Sequence, residues 1–159
     1  MPAAQRKGGD GSRREFADLA NWNLASLTEL FASDPPALGD VDVAIEGDVL
    51  RVTLKEKGHL DVFVVAGGDQ ILASVMLAPA ESVPERSAFE RLALKTHKLV
   101  PLSTFGISTV NGEEWYELFG SLSARSSAEI VVEEIAVLAS NAEDAANLIQ
   151  EWRNGEIAA

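Results

Sequence analysis

Four serines crowd one short segment of the chain, and serine is a residue type that can act as a nucleophile. The segment reads FGSLSARSSAEIVVEE, residues 119–134, and it leads from a glycine into a run of carboxylates. A serine nucleophile needs a general base within hydrogen-bond reach and an oxyanion hole. The Gly-x-Ser-x-Gly pattern is absent, and the two candidate bases, His59 and His97, lie in no recognisable motif. We therefore predict no catalytic serine.

The same serines are typical of a boundary between a strand and a helix. Ser126 stands three residues before Glu129, which predicts a capping box at the start of a helix. In such a box the serine oxygen accepts a hydrogen bond from a free backbone N–H. Ser121 and Ser123 would then end the preceding strand. We interpret the serines as structural.

Metal and cofactor chemistry has little support in the sequence. The chain has two histidines and no cysteine, so a metal site would depend on carboxylates. The adjacent pairs 133–134 and 143–144 are typical of exposed helical surface. Gly67-Gly68 is followed by no phosphate-binding or dinucleotide fingerprint. We expect no catalytic residue, no metal and no cofactor.

A basic row is the least ordinary charged feature of the chain. Arg91, Lys95 and Lys98 follow the spacing i, i+4, i+7 along one side of the predicted middle helix, with His97 beside them. Cations near a helix C-terminus are favoured by the macrodipole, which is the simpler explanation. The alternative is a docking site for an acidic partner surface or for the protein's own acidic helix.

Two apolar residues near the end of the last predicted helix are candidate partner anchors. A helix of about 27 residues would span roughly 40 Å at 1.5 Å per residue, which exceeds the width of a six-stranded sheet. Part of its apolar stripe should then overhang the sheet. Trp152 and Ile149 lie at the far end, so we expect them to be partly exposed and to bind a partner or a second copy. The alternative is that the first helix covers them through Trp22 and Leu24.

Composition places the chain among acidic globular proteins. It has 159 residues, 47% of them hydrophobic, and a formal net charge of -12, which disfavours nucleic acid and anionic membrane surfaces. Residues 1–20 are basic and rich in glycine, lack the apolar stretch of a secretory signal, and predict a disordered tail. Residues 21–155 predict a single α+β domain. We expect a cytoplasmic protein.

The predicted elements follow the order α-β-β-β-(β)-α-β-β-α, which places the chain in the α+β class. Asn23 predicts the N-cap of the first helix, and four segments between residues 41 and 78 have strand patterns. Segments 60–66 and 70–78 are apolar on both faces and should be central. Short turns should make neighbouring strands antiparallel. We expect an antiparallel sheet of five or six strands with helices packed mainly on one face.

Two helices and a hairpin complete the predicted order. Ser82 and Glu85 predict a capping box for the middle helix. Asn111-Gly112 predicts a tight hairpin turn. An apolar stripe from Val131 to Trp152 predicts one long final helix, although Ser140-Asn141 could divide it into two. The predicted buried face of the middle helix consists of Phe89, Leu92, Ala93, Thr96 and Leu99.

The second half of the chain resembles a family of bacterial proteins. The segment THKLVPLSTFGISTVNGEEWYELFGSLSARSSAEIVVEEIAVLASNAEDA resembles the signature half of the YjfI family, and WNLASLTEL and DQILASVMLAPAESV are similar to its earlier blocks. The resemblance covers residues 21–153. It implies a cytoplasmic protein whose genes often lie beside those for a phage-shock-protein-A-like membrane-stress protein and for small membrane proteins. No catalytic or ligand residue is established for that family, so none is carried over.

The element order also resembles the fold of type III secretion chaperones and YbjN-like proteins. Those small acidic proteins are typically dimers that bind other polypeptides, although three strands usually precede their middle helix where four are counted here. We expect a non-enzymatic, chaperone-like or adaptor module that binds another protein, with a role near envelope stress. The alternative is an enzyme or small-ligand sensor whose site is assembled from scattered residues. A polar cleft holding His59 or His97 with carboxylates would favour that alternative, and a contiguous apolar patch would favour the binding module.

Overall fold

The computed structural model describes residues 21–157, which form one antiparallel sheet and three α-helices. The basic tail predicted for residues 1–20 lies outside the described residues and stays a prediction. The boundaries of the single domain predicted over residues 21–155 also stay a prediction. The helices and strands follow the predicted order. They are α1 Leu24–Ala32, β1 Val41–Glu46, β2 Val49–Leu54, β3 Leu60–Gly67, β4 Gln70–Pro79, α2 Arg86–Thr96, β5 Thr104–Val110, β6 Glu113–Ser123 and α3 Ala128–Arg153.

The six-stranded sheet has the strand order β1-β2-β3-β4-β6-β5, and every neighbouring pair is antiparallel. β3 and β4 are the two middle strands, as their apolar sequences predicted. The turn between β5 and β6 is at Asn111 and Gly112, whose φ angles are 51° and 83°. Both angles lie in the left-handed region that this tight turn needs and that these two residue types tolerate. All four strands predicted before α2 are present, which settles the strand count at six.

The helices cover one face of the sheet. Alternate strand residues share a face, and on the covered face Leu50, Val64 and Leu118 are fully buried. They form one cluster with Phe31 of α1 and Ile135 of α3. Each such side chain contributes about 1.5–3 kcal/mol when it leaves water. The resulting layer of helices on a sheet is the α+β arrangement that the sequence predicted.

The exposure expected of Trp152 and Ile149 is wrong. Both lie in a second buried cluster at the end of α3, where they are 5% and 2% exposed. The Trp152 indole packs edge-on against Phe89, with ring centroids 5.6 Å apart, and its Nε1 donates to the Pro84 carbonyl at 2.8 Å. α2 and the residues before it therefore cover the part of α3 that was expected to overhang. The alternative cover, α1 with Trp22, lies in the other cluster.

The two capping boxes predicted for α2 and α3 are also wrong, whereas the cap of α1 is confirmed. Asn23 Oδ1 accepts from the Ser26 N–H at 3.0 Å, and Ser26 Oγ accepts from the Asn23 N–H at 3.0 Å. α2 begins at Arg86 after Glu85, which has φ 50° and makes no side-chain cap. The predicted partner, Ser82, lies in a preceding 3₁₀ turn and donates its hydroxyl to a backbone carbonyl.

The cap of α3 is Ser127, one residue beyond the predicted Ser126. Ser127 Oγ accepts from the Ile130 N–H at 3.4 Å. The carbonyl of Ser126 instead accepts from Trp22 Nε1 at 2.7 Å, which ties the start of α3 to the start of α1. The pKa of Glu129 lies below its ordinary value because its own backbone N–H and the Ser127 hydroxyl donate to the carboxylate. Ser127 therefore has the capping role that was predicted for Ser126.

Candidate docking groove

An apolar groove of about 330 Å³ lies between α2, the segment that follows it, the sheet and α3. The sequence did not predict this site. Its wall on the α2 side continues into the 97–101 segment, its floor includes Phe105 and Leu118, and its far wall is α3. The lining residues are mostly apolar: Leu92, Thr96, Leu99, Val100, Pro101, Phe105, Leu118, Asn141, Asp144, Ala145, Leu148 and Ile157.

The α2 wall of the groove presents Leu92, Thr96 and Leu99, which follow the spacing i, i+4, i+7. Thr96 does not add a free polar group, because its hydroxyl donates to the Leu92 carbonyl at 2.9 Å. Leu99 was predicted to be buried but is 80% exposed. The reason is that α2 ends at Thr96, and Leu99 lies in a 3₁₀ turn, His97–Leu99, that carries it to the rim.

The outer side of α2 and the segment after it keep large apolar side chains in water. Leu94 is 75% exposed and Leu102 is 63% exposed, and together with Leu99 they are the three most exposed large hydrophobic residues among those described. Leu102 has φ 61°, a left-handed conformation that is uncommon for leucine and costs free energy. Strained, exposed apolar residues beside a groove are characteristic of binding surfaces.

Asn141 anchors this segment to α3 from the far wall of the groove. Its Nδ2 donates to the Pro101 carbonyl at 2.7 Å and to Ser103 Oγ at 2.8 Å. Asn141 is 9% exposed and Ser103 is 3% exposed, so these hydrogen bonds are shielded from water. The sequence allowed Ser140-Asn141 to break the last helix, but α3 runs through them without interruption. The asparagine therefore fixes the shape of the groove.

The basic row predicted on the middle helix lies on the outer side of α2 and of the turn that follows it. Arg91, Lys95 and Lys98 are all exposed. Four other cations, Arg51, Lys55, Lys57 and Arg86, form ion pairs with carboxylates, whereas no such pair involves the basic row within residues 21–157. Leu94 lies among the row, in a shallow concavity with Arg91 and Lys95.

A polar cluster fixes the other side of α2 to the sheet. Arg86 Nε donates to Glu90 Oε1 at 2.6 Å, and its second nitrogen approaches Glu114 Oε2 at 2.7 Å. The Tyr116 hydroxyl, buried under α2, donates to the same Glu90 oxygen at 3.1 Å. Burial and the neighbouring Glu90 carboxylate raise the pKa of Tyr116 to about 12, so it stays protonated. This cluster positions α2 and, with it, one wall of the groove.

A second concavity, on the uncovered face of the sheet, contains the only histidine that meets a carboxylate in a described cleft. His59 and Asp61 line it together with the apolar side chains of Phe63, Met76 and Trp115. The Asp61 carboxylate is already engaged, because Thr53 Oγ1 donates to it at 2.5 Å. His97 does not line either concavity. The groove between α2 and α3 is thus a contiguous apolar surface, whereas the cleft of His59 holds one carboxylate that is already hydrogen-bonded.

Within residues 21–157, no group of three or more histidines and carboxylates is placed to hold a metal ion. None of the described helices is both long and apolar enough to cross a membrane.

The two predicted partner anchors lie outside the groove. Neither Trp152 nor Ile149 lines it, since both lie in the core beneath α2.

An antiparallel sheet covered on one face, with one helix before its first four strands and two helices around its last two, defines an α+β protein. The chain belongs to the bacterial family described as "Uncharacterized protein conserved in bacteria (DUF2170)", whose model matches residues 21–153. The resemblance to the YjfI family is confirmed. The chain is 30% identical over 131 residues to YjfI of Escherichia coli K12 and of O157:H7, covering 82% of this chain and 97% of each relative.

Two solved structures are similar to the chain. A chain of the HopA1–SchA chaperone–effector complex superimposes with a TM-score of 0.51 at 15% identity, covering 80% of this chain and 90% of its own. YbjN from Escherichia coli gives a TM-score of 0.45 at 16% identity, covering 77% and 94%. At 15% identity the likeness to the HopA1–SchA chain shows the fold alone.

Proposed function

We propose that this protein is a non-enzymatic, chaperone-like adaptor that binds another polypeptide in the apolar groove between α2 and α3. One observation carries the proposal: Leu99 and Leu102, two of the three most exposed large hydrophobic residues of the described part, lie on or next to the segment whose residues Leu99, Val100 and Pro101 line this groove. A leucine side chain gains about 1.5–3 kcal/mol when it is fully removed from water. A partner that covers these leucines would therefore recover free energy that the monomer forgoes.

The anchoring of the rim also supports a binding role. Leu102 is held in an unfavourable backbone conformation by a segment that Asn141 fixes from below. A segment without a function would gain by relaxing and burying its leucines. A prearranged apolar rim instead lowers the ordering cost of association, which favours binding.

The proposal also covers the identity of the partner and the cellular compartment of the protein. The gene neighbourhood implied by the YjfI family suggests a phage-shock-protein-A-like protein as the first partner to test, and a cytoplasmic location near envelope stress. The shared fold with a chaperone of a chaperone–effector complex is consistent with a polypeptide ligand. A homodimer that covers the same leucines is a further arrangement that the test below separates.

Affinity capture with a matched pair of variants tests the proposal. The chain is tagged and used to capture proteins from native bacterial lysate, with Leu99→Asp as the groove variant and Ile130→Asp as its control. Ile130 is also an exposed aliphatic residue, at 51%, and lies in the first turn of α3, away from the groove. Both variants add one negative charge. We expect a specific partner to be captured by the wild type and by Ile130→Asp, and at least tenfold less of it by Leu99→Asp.

Equal capture by all three proteins would contradict the groove as the docking site. Light scattering on the purified proteins adds the second arm: a wild-type dimer that Leu99→Asp dissociates would assign the groove to a second copy. The alternative function, a small-ligand sensor or enzyme, would use the cleft of His59 and Asp61. It would be favoured if His59→Ala changed a cellular phenotype that Leu99→Asp left intact.

A further inference from the structure

The charges around the groove select the kind of polypeptide that fits it. On a helix of 3.6 residues per turn, consecutive rows are about 100° apart. The row that lines the groove is Leu92, Thr96 and Leu99, and the basic row begins one residue earlier, at Arg91. Arg91 and Lys95 therefore lie on the side of α2 next to its groove-lining row, and Lys98 adjoins Leu99 in the 3₁₀ turn that follows. A ligand in the groove would have one flank against this row.

The basic row has no acidic partner among the described residues, in a chain with many acids. The full sequence holds 25 carboxylate residues and 13 lysines and arginines. Four of the described cations are paired, and Arg153 donates to the Ser82 carbonyl at 3.1 Å. The remaining four described cations are Arg91, Lys95, Lys98 and the distant Arg125, so three of the four lie on one row. Placement at a helix C-terminus explains Lys95 and Lys98, but not Arg91 in the middle of α2.

The opposite wall has the opposite charge. Asp144 of α3 is exposed and lines the groove, and it forms no ion pair within residues 21–157. The groove thus runs between a basic flank on the α2 side and an acidic residue on the α3 side. This polarity gives a ligand a preferred orientation, because like charges would face each other in the reverse orientation.

We infer that the groove binds an amphipathic helix of a partner polypeptide, with its apolar stripe on Leu92, Leu99 and Leu148 and its acidic flank along Arg91, Lys95 and Lys98. This inference rests on the proposed function and specifies its ligand. Leu92 and Leu99 are seven residues apart, roughly 10–12 Å along the end of α2 and the 3₁₀ turn that follows it. A partner helix with apolar residues at i, i+4 and i+7 presents a stripe of the same length, which is the usual helix-in-groove pattern.

A polypeptide fits these observations better than nucleic acid or a membrane surface. Both of those ligands are dense polyanions or anionic planes, and the net charge of -12 repels them. The apolar surface is a groove rather than a protruding face, so a flat bilayer would not reach Leu92 or Leu148 in its walls. A single acidic helix contacts only the local basic row.

Two designed peptides test the inference on the purified chain. Both are helical, about 18 residues or five turns long, with the same leucine stripe. The first has glutamates along one flank, and the second has lysines at the same positions. Fluorescence anisotropy is measured at low salt with the wild type, Lys95→Glu, Lys95→Gln and Arg125→Glu. Lys95→Glu and Arg125→Glu change the net charge equally, so they separate the row from general charge.

We expect the acidic peptide to bind about tenfold more tightly than the basic one, since three exposed charge pairs each give a small factor. Lys95→Gln should remove about a third of that preference on a logarithmic scale, Lys95→Glu about two thirds, and Arg125→Glu should leave it unchanged. High salt should shrink the preference because these charges are exposed. Equal affinities of the two peptides, or equal effects of Lys95→Glu and Arg125→Glu, would overturn the inference.

Two further arms separate this inference from the proposed function and from other ligands. If both peptides bind equally and Leu99→Asp abolishes both, the groove stands as a docking site and the acidic ligand is overturned. If neither peptide binds and Leu99→Asp leaves lysate capture unchanged, the proposed function fails as well. Two other ligands are tested directly: vesicles of phosphatidylglycerol and phosphatidylcholine by co-sedimentation, and a second copy of the chain by analytical ultracentrifugation. If the wild type bound vesicles or dimerised and Lys95→Glu abolished that association, the basic row would serve the membrane or the dimer, and the inference would be overturned.

Discussion

Asn141 and Pro101 are joined by a hydrogen bond of 2.7 Å from the buried side-chain amide of α3 to the backbone carbonyl of the segment after α2. The same amide nitrogen also reaches Ser103 Oγ. Through these bonds one residue of the last helix determines where the groove rim lies. The Asn141 side chain therefore links α3 directly to the groove rim, and mutation of this one residue tests that link.

Asn141→Ala should loosen the groove rim and destabilise the fold. The substitution leaves the buried Ser103 hydroxyl and the Pro101 carbonyl without their common donor, which costs about 1–3 kcal/mol. Urea unfolding measures this loss. Asn147→Ala, at an exposed position one and a half turns further along α3, is the matched control and should change the free energy of unfolding by less than about 0.5 kcal/mol. Equal effects of the two variants would mean that the anchor contributes nothing.

Trp152→Ala should destabilise the protein by about 3–5 kcal/mol, because the indole is buried against Phe89. Trp152→Phe keeps most of the ring but loses the donor to Pro84, so we expect a smaller loss of about 0.5–1.5 kcal/mol. Thermal unfolding with light scattering checks both. A Trp152→Ala variant that keeps its melting temperature but changes its oligomeric state would restore the interface role first expected of this residue.

The contribution of Glu134 to the free energy of unfolding should be larger in mild acid than at neutral pH. Glu134 is 8% exposed, and its carboxylate lies so close to Gly120 that a Cβ there would overlap it. Burial, and secondarily the charge of Glu133, raise the pKa of Glu134 in the folded state. The folded protein therefore holds this proton more tightly than the unfolded chain does. Its stabilising effect is complete below the unfolded pKa and is lost as pH rises through the folded pKa.

Glu134→Gln should accordingly raise the melting temperature at pH 7 and reduce the difference between pH 7 and pH 4. Glu133→Gln, on the exposed side of α3, is the control and should have a weaker effect on that difference. A Glu134→Gln protein that is less stable than wild type at pH 7 would show that the ionised carboxylate has a favourable partner in the fold.

Ser127→Ala should cost about 1 kcal/mol through loss of the α3 cap. Ser126→Ala should cost less, because Ser126 holds Trp22 through its backbone carbonyl, which the substitution retains. Urea unfolding of the two variants side by side ranks them. A larger loss for Ser126→Ala would return the cap to the position that the sequence predicted.

Local patterns in the sequence predicted the elements well and their junctions poorly. The alternation in β1 and β2 and the Asn111-Gly112 turn depend on near neighbours, so they were read correctly. The register of the α3 cap was missed by one residue: Ser126 and Ser127 are both suitable cap residues, and in the fold the Ser126 carbonyl accepts from Trp22 while Ser127 caps the helix. That contact joins residues 104 positions apart and leaves no local trace.

The candidate site was only partly visible in the sequence. Arg91, Lys95 and Lys98 were recognised from their spacing, and their role in binding stays a proposal. Leu99 was assigned to the core because it continued the helical period, but the helix ends before it. The burial of Trp152 depends on how the segment around Pro84 crosses α3, which periodicity does not encode. A leucine-rich, basic stretch ending in Pro101 was the signal available for the groove.

Site-specific photo-crosslinking tests the central claim, that the groove is the surface which meets a partner. A photoreactive phenylalanine analogue is placed at position 99 on the groove rim, at position 130 on the first turn of α3, and at position 72 on the uncovered sheet face. The three native residues are all exposed aliphatic side chains. After irradiation in cells, we predict a discrete covalent adduct from position 99 and none from positions 130 and 72. An adduct from position 72 with none from position 99 would contradict the account and would move the docking surface to the open face of the sheet.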